Sequence, residues 1–198
     1  MKTTAAAAIT ATASTSTAMA ADVPSVVEAI RTGDDRTRGE AWQGAASLGA
    51  AGVRPLSDLL VHEDFEVARS AKRAIWKIVR HAGRPGADAE ARAVEQALIP
   101  LLAHFSAPVR REVLWMLSEV AGEDAAAPIA RLLQDREVRD DARCALQRIP
   151  GQQATMMLQV ALQTAPEEFR YNLAEALRKR GVKVEGYPSK KLQPGARP

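Results

Sequence analysis

The stretch Gly52-Val53-Arg54-Pro55-Leu56-Ser57-Asp58-Leu59-Leu60, followed shortly by Asp64-Phe65-Glu66-Val67 and then by Ala71, Ala74, Ile75 and Ile78, decides the fold. Counted from Val67, small or apolar side chains stand at offsets 4, 7, 8 and 11, which places them in one stripe along a helix. Asp64, three residues ahead, has the short acceptor side chain that caps the unpaired N–H groups of a helix's first turn. Upstream, Val53, Leu56, Leu59 and Leu60 form a second apolar segment. The stretch therefore predicts two antiparallel helices, A and B, joined by a short turn.

The same pattern occurs five times. With Thr37, Val67, Val109, Val138 and Phe169 as position zero, the intervals are 30, 42, 29 and 31 residues. The long interval holds an extra stretch of about a dozen residues around Gly83, Pro85 and Gly86. The stripe is filled by Ala41, Gly44, Ala45 and Leu48 in the first copy and by Val113, Met116, Leu117 and Val120 in the third. Ala142, Ala145, Leu146 and Ile149 fill it in the fourth, and Leu173, Ala176 and Leu177 in the fifth, which has Arg180 at offset 11. A polar residue there suits a last unit with no further neighbour to cover it. Asp34, Asp64, Ser106, Asp135 and Pro166 stand at the cap positions, and four of these five can accept a first-turn hydrogen bond. The other A segments carry Val26, Val27 and Ile30; Leu98, Ile99, Leu101 and Leu102; Ile129, Leu132 and Leu133; and Met157, Leu158 and Leu162. A repeat of this period is too small to bury its own apolar face and stacks on the next, the signature of a helical solenoid.

At this level the chain resembles the HEAT repeats, most closely the short variety found in phycobilisome-lyase-type proteins. The residues that carry the resemblance are the 52–78 stretch, Ile99-Pro100-Leu101-Leu102 with Val109-Arg110, and Pro128-Ile129-Ala130-Arg131-Leu132-Leu133 with Asp135 and Val138-Arg139. It covers roughly residues 23 to 180, strongest in copies two to four. Copy one departs with Thr37 and Gly44 at core positions, and copy five with Pro166 at the cap. The resemblance implies an all-α, right-handed α-α superhelix of about five helix pairs, with the B helices lining its concave face. Composition agrees: 46% of residues are hydrophobic but only 4% aromatic, without the β-branched and aromatic runs that mark strands.

Three segments are expected: a leader over residues 1–21, the repeat array over 22–180 with its insertion near 81–92, and a basic Gly/Pro-containing tail over 181–198. The leader has Lys2, a mildly apolar centre interrupted by Thr, and a small-x-small ending at Ala18-Met19-Ala20. It reads either as an export signal cleaved after Ala20, giving an exported or periplasmic protein, or as a disordered leader on a cytoplasmic one. No later apolar run is long enough to span a membrane. The insertion reads as a linker or as a recognition loop, its composition favouring the linker.

The net charge of +3 is unevenly spread. Residues 22–177 hold 19 basic against 23 acidic residues, whereas residues 178–198 hold 7 basic against 1 acidic. A mildly acidic body argues against nucleic-acid binding, which needs basic surface along the array; only weak binding through the tail is expected. The tail itself reads as a solvated end.

No catalytic constellation is legible. His62, His81 and His104 lie on different elements without the spacing of a metal site and read as helix-end or surface residues. Cys144, the single cysteine, falls beside the stripe with no assured base, so a nucleophilic role is not supported. Asp34-Asp35 sits at a helix start, and Asp140-Asp141 points two ways from one helix, so neither pair converges on a substrate. No Gly-rich phosphate loop occurs. No catalytic, cofactor or metal residue is therefore assigned.

Trp42, Trp76 and Trp115 all fall on B helices, at offsets 5, 9 and 6, outside the core stripe. Arg69, Arg73, Arg111 and Arg143 accompany them at offsets 2, 6, 2 and 5. Two readings stand. The rings border a groove with cationic edges suited to a protein or an extended acidic peptide, or they pack between repeats while the arginines are solvated. The expectation is a non-enzymatic protein-interaction scaffold or adaptor using the concave face. Two alternatives stand beside it, an accessory lyase-type or chaperone-like subunit of an enzyme complex and a weak nucleic-acid binder; oligomeric state is left open.

Overall fold

A computed structural model describes residues 22–188. Among the described residues there are ten α-helices, several prolonged by short 3-10 turns, and no strand. They form five pairs: α1 (Val23–Thr32) with α2 (Asp35–Gly44), α3 (Gly49–Ser57) with α4 (Phe65–Ala82), α5 (Asp88–Leu98) with α6 (Ala107–Val120), α7 (Ala126–Arg131) with α8 (Arg139–Arg148), and α9 (Gln152–Thr164) with α10 (Glu167–Lys179). The second members stack in chain order, α2 on α4, α4 on α6, α6 on α8 and α8 on α10. The first members form a parallel layer in which α1 packs on α3, α3 on α5, and α7 on α9. The protein is an all-α solenoid of two helix layers, A and B, as the repeat predicts. The expected leader, residues 1–21, and the tail from 189 onward lie outside the described residues.

The stripe is the core. Ala71, Ala74, Ile75 and Ile78, the third-copy set Val113, Met116, Leu117 and Val120, and the fourth-copy set Ala142, Ala145, Leu146 and Ile149 are all buried between the layers. Burying each large aliphatic side chain contributes about 1.5–3 kcal/mol. The first copy is thinner: α2 buries none of its residues, and Ala45 and Leu48 in the following 3-10 turn supply its apolar contact. Gly52 marks a close approach of α3 to α4, because a Cβ there would stand 3.1 Å from the Ile78 side chain, and 2.8 Å from that of Leu48 in the preceding turn.

Two of the expected caps act as such. Asp34 Oδ1 accepts from the Thr37 N–H at 2.8 Å, and Asp64 Oδ1 from the Glu66 N–H at 2.8 Å. Asp22 does the same for α1, accepting from Ser25. Ser106 occupies the cap of α6, but its side chain makes no capping bond. In the fourth copy the regular helix starts a turn later than the spacing predicts. Asp135 accepts from the Glu137 N–H in a turn, and α8 begins only at Arg139. His62 Nδ1 and His104 Nδ1 accept the backbone N–H groups of Asp64 and Ser106, each at 3.0 Å, so both histidines serve helix entries.

The extra residues of the long interval are mostly helical. They extend α4 to Ala82 and start α5 at Asp88, leaving a five-residue connection, 83–87. Arg84 closes it, donating to both Glu90 oxygens at 2.6 and 2.8 Å and to the His81 carbonyl at 2.6 Å.

Arginines fasten the layers at positions the stripe does not mark. At offset one, Arg38 donates to the Ile30 carbonyl, Arg110 to those of His104 and Phe105, and Arg170 to that of Ala165. Each ties a B helix to the end of its own A segment, where carbonyls lack helical partners. Arg110 also reaches Asp135 of the next unit at 2.9 Å. Arg180 is more than a polar end residue. It grips the Leu146, Gln147, Ile149 and Gly151 carbonyls and Thr155 Oγ1, sealing the α8–α9 corner from the last unit. Residues 181–188, the start of the expected tail, lie back on α10: Arg178 holds the Gly186 and Tyr187 carbonyls, and the Tyr187 ring meets Tyr171 edge-on.

Candidate binding face on the B layer

All seven candidate residues lie on α2, α4, α6 and α8, but they do not form one uniform patch. Trp42 on α2 faces α4, with the Arg73 guanidinium 5.2 Å and the Lys77 ammonium 5.7 Å from its ring centre. Trp76 carries Arg80 over its ring at 5.1 Å, and its indole N–H donates to Glu112 of α6 at 2.5 Å. One helix further, the Trp115 N–H donates to Asp141 of α8 at 3.1 Å, and Arg111 donates to the other oxygen of the same carboxylate at 3.0 Å. Arg143 stays on α8 with Asp140 and Gln147, while Asp140 also accepts from Asn172 of α10 at 3.1 Å.

Neither simple reading of the tryptophans is sufficient. Trp42 and Trp76 are half-buried against the core, and Trp115 is 38% exposed. Each ring lies over the seam between neighbouring B helices, and Trp76 and Trp115 use the indole N–H as a tie across it. Their acceptors, Glu112 and Asp141, both stand at offset three from position zero. That recurrence is the signal by which the sequence marks them.

The arginines differ in electrostatic state. Arg69 is paired with Glu66 at 3.0 Å, Arg111 with Asp141 and Arg143 with Asp140. Burial raises the Asp140 carboxyl, but hydrogen bonds from Arg143 and Asn172 and the guanidinium charge outweigh it and hold Asp140 below the usual range. Arg73, Lys77 and Arg80 have aromatic neighbours but no carboxylate partner among the described residues. From Arg69 to Arg80, α4 carries five cations and no acid. Lys77, Arg80, Phe65 and Phe105 were outside the sequence-predicted set.

Three clefts line this half of the B layer. The first, about 550 Å³, lies between α4 and α6 with Leu60, Phe65, Pro108 and Val109 on its apolar side and Arg69, Lys72, Arg73 and Glu112 on its charged side. The second, about 420 Å³, lies between α2 and α4 and includes Trp42, Arg69 and Arg73; the third, about 270 Å³, is lined by Trp42, Trp76, Arg73, Lys77 and Arg80. Arg73 borders all three, so they adjoin one another. Phe65 is 71% and Phe105 80% exposed at the entries of α4 and α6.

Among the described residues no group of three or more His, Cys, Asp or Glu is placed to hold a metal, and no helix is long and apolar enough to cross a membrane. Burial raises the Cys144 thiol, partly offset by Arg143, whose Nη2 lies 2.9 Å from the sulfur.

No protein-family model matches the chain, and no curated protein does. Several solved structures are similar. One engineered protein has a TM-score of 0.43 at 23% identity, covering 79% of this chain and 78% of its own. Another has a TM-score of 0.46 at 22% identity, with coverage of 79% and 80%. A designed armadillo repeat protein in complex with the peptide (KR)4 has a TM-score of 0.45 at 20% identity, with coverage of 78% and 80%.

Proposed function

We propose that this protein is a non-enzymatic scaffold of short HEAT-like repeats that binds an extended segment of a partner protein along its B layer. The observation that carries the reading is the run of three adjoining clefts over α2, α4 and α6, where half-buried indoles, exposed phenylalanine and cations without a carboxylate partner among the described residues converge. Trp and Arg are among the side chains that contribute most at protein interfaces, and here the rings and the cations stacked on them are held in place before any ligand arrives. A rigid solenoid adds to this, since its helices hold those groups in place before the ligand arrives. A peptide laid across the seams would meet a new pair of B helices at each repeat. The ties from Trp76 to Glu112 and from Trp115 to Asp141 would keep that register fixed.

The test is affinity capture from native cells with tagged full-length protein, run beside Phe65→Ala and Trp115→Ala variants whose helical content is checked by circular dichroism. Both side chains are exposed, so the fold is expected to persist. Loss of one and the same partner from both variants supports the reading. Equal recovery by all three forms removes the interface from the B layer.

A further inference from the structure

Resting on that reading, we infer that the ligand is an acidic peptide segment carrying one large apolar side chain, with the apolar group seated between α4 and α6 and the acids over α4 facing α2. The two subsites have different chemistry. The α4–α6 cleft is walled by Leu60, Phe65, Pro108 and Val109, and its volume of about 550 Å³ accommodates a Phe, Trp or Leu side chain with adjoining backbone. Next to it, Arg73, Lys77 and Arg80 present three positive charges that no carboxylate of the described residues neutralises. Each is held by an indole face, which positions the cation and leaves its outer N–H groups free for a carboxylate.

Charge along the B layer sets direction. On α6 and α8 the cations that flank the seam are already matched, Arg111 by Asp141 and Arg143 by Asp140, so an acidic ligand gains less from them than from the three on α4. The acidic part of the segment therefore lies toward α2 and the apolar anchor toward α6. Nucleic acid is disfavoured by the same pattern: a phosphate backbone needs a continuous cation track, and Glu112, Asp140 and Asp141 interrupt this one.

The experiment is selection of a random 12-residue display library on immobilised full-length protein, followed by affinity measurement of synthetic versions of the selected peptides. The expected sequences carry Asp or Glu clustered beside a single Phe, Trp or Leu. Replacing Arg73, Lys77 and Arg80 together by Ala weakens them about tenfold or more, as expected for loss of charge-assisted contacts. Phe65→Ser weakens them independently, and raising salt reproduces the first effect but not the second. Basic or purely apolar sequences that still lose affinity in Trp115→Ala and Phe65→Ala would overturn this inference while leaving the B-layer function intact. Acidic peptides indifferent to both sets of variants overturn it as well. Displacement of the selected peptides by a single-stranded oligonucleotide at comparable concentration would assign the cations to phosphate instead. No enrichment above background would sink both the inference and the function it rests on.

Discussion

Replacing Arg180 by Ala should cost more stability than any other single exposed-to-half-buried polar substitution in the array. Its guanidinium and Nε reach five acceptors at 2.5–3.1 Å: the Leu146, Gln147, Ile149 and Gly151 carbonyls and Thr155 Oγ1. Those carbonyls end α8 and turn the chain into α9, where no helical donor remains for them. Desolvation lowers the Arg180 pKa, a sign that the clamp is partly withdrawn from water. A hydrogen bond to a charged group contributes about 1.5–3 kcal/mol. The side chain is not fully buried and three carbonyls share one nitrogen, so water recovers part of the loss and the bonds are not additive. An overall cost of about 3 kcal/mol follows, and at 2–4 °C per kcal/mol for a chain of this size the unfolding temperature falls by about 6–12 °C. The loss should also be local. Each unit touches only its neighbours, so α9 and α10 lose amide-exchange protection before α3 and α4 do. Arg180→Lys keeps the charge on a single nitrogen and should recover less than half. Thermal circular dichroism and hydrogen exchange provide the two readouts. An Arg180→Ala protein within about 0.5 kcal/mol of wild type, or one loosened evenly along its length, would refute the reasoning.

Three further outcomes are expected. Gly151, with φ of 90°, leaves room for the Glu123 carboxylate that accepts the Gln152 N–H at 2.8 Å. A Cβ there would overlap Glu123, so Gly151→Ala should cost about 1–3 kcal/mol in chemical denaturation, from the lost cap and the strained backbone together. The cap aspartates Asp22, Asp34 and Asp64 are held below the ordinary carboxylate range by hydrogen bonds from Ser25, Thr37 and Glu66 respectively. Their contribution is present above the unfolded value of about 3.9 and is lost as pH falls through the lower folded values, so unfolding temperature should drop on acidification and Asp64→Asn should drop less steeply. Cys144, raised by burial, should react with a disulfide reagent at neutral pH more slowly than a free thiol and approach it only on unfolding; equal rates in the native protein would contradict its placement.

The helix pairs were legible because the stripe is a consequence of burial, and burial repeats with the fold. Val113, Met116, Leu117 and Val120 could be assigned to the core from spacing alone, and they are fully covered or nearly so. Helix ends were less legible. Asp135 has the residue type of a cap, yet its carboxylate is drawn to Arg110 of the previous unit, and that long-range partner has no local trace. Arg180 shows in the sequence only as a polar residue at a core offset, whereas its role depends on the α8–α9 corner, about 30 residues away in sequence. The candidate face was half legible. Tryptophan placement marked the B layer, but which arginines keep a free charge depends on acids contributed by neighbouring helices. Glu112 and Asp141 recur at one offset, so that part is legible; the freedom of Arg73, Lys77 and Arg80 is not, because it is the absence, among the described residues, of such a partner across the seam.

The claim that the B layer is the working surface is tested most directly by photo-cross-linking in native cells from single sites on each layer. A photoreactive residue replaces Lys72 or Lys77 on α4, and in separate proteins Arg92 or Gln96 on α5, all four exposed in the free protein. A discrete adduct of the same mass from both α4 sites, absent from both α5 sites and abolished by Phe65→Ala, is the predicted result. Adducts formed from α5 with none from α4 would contradict it and move the interface to the A layer.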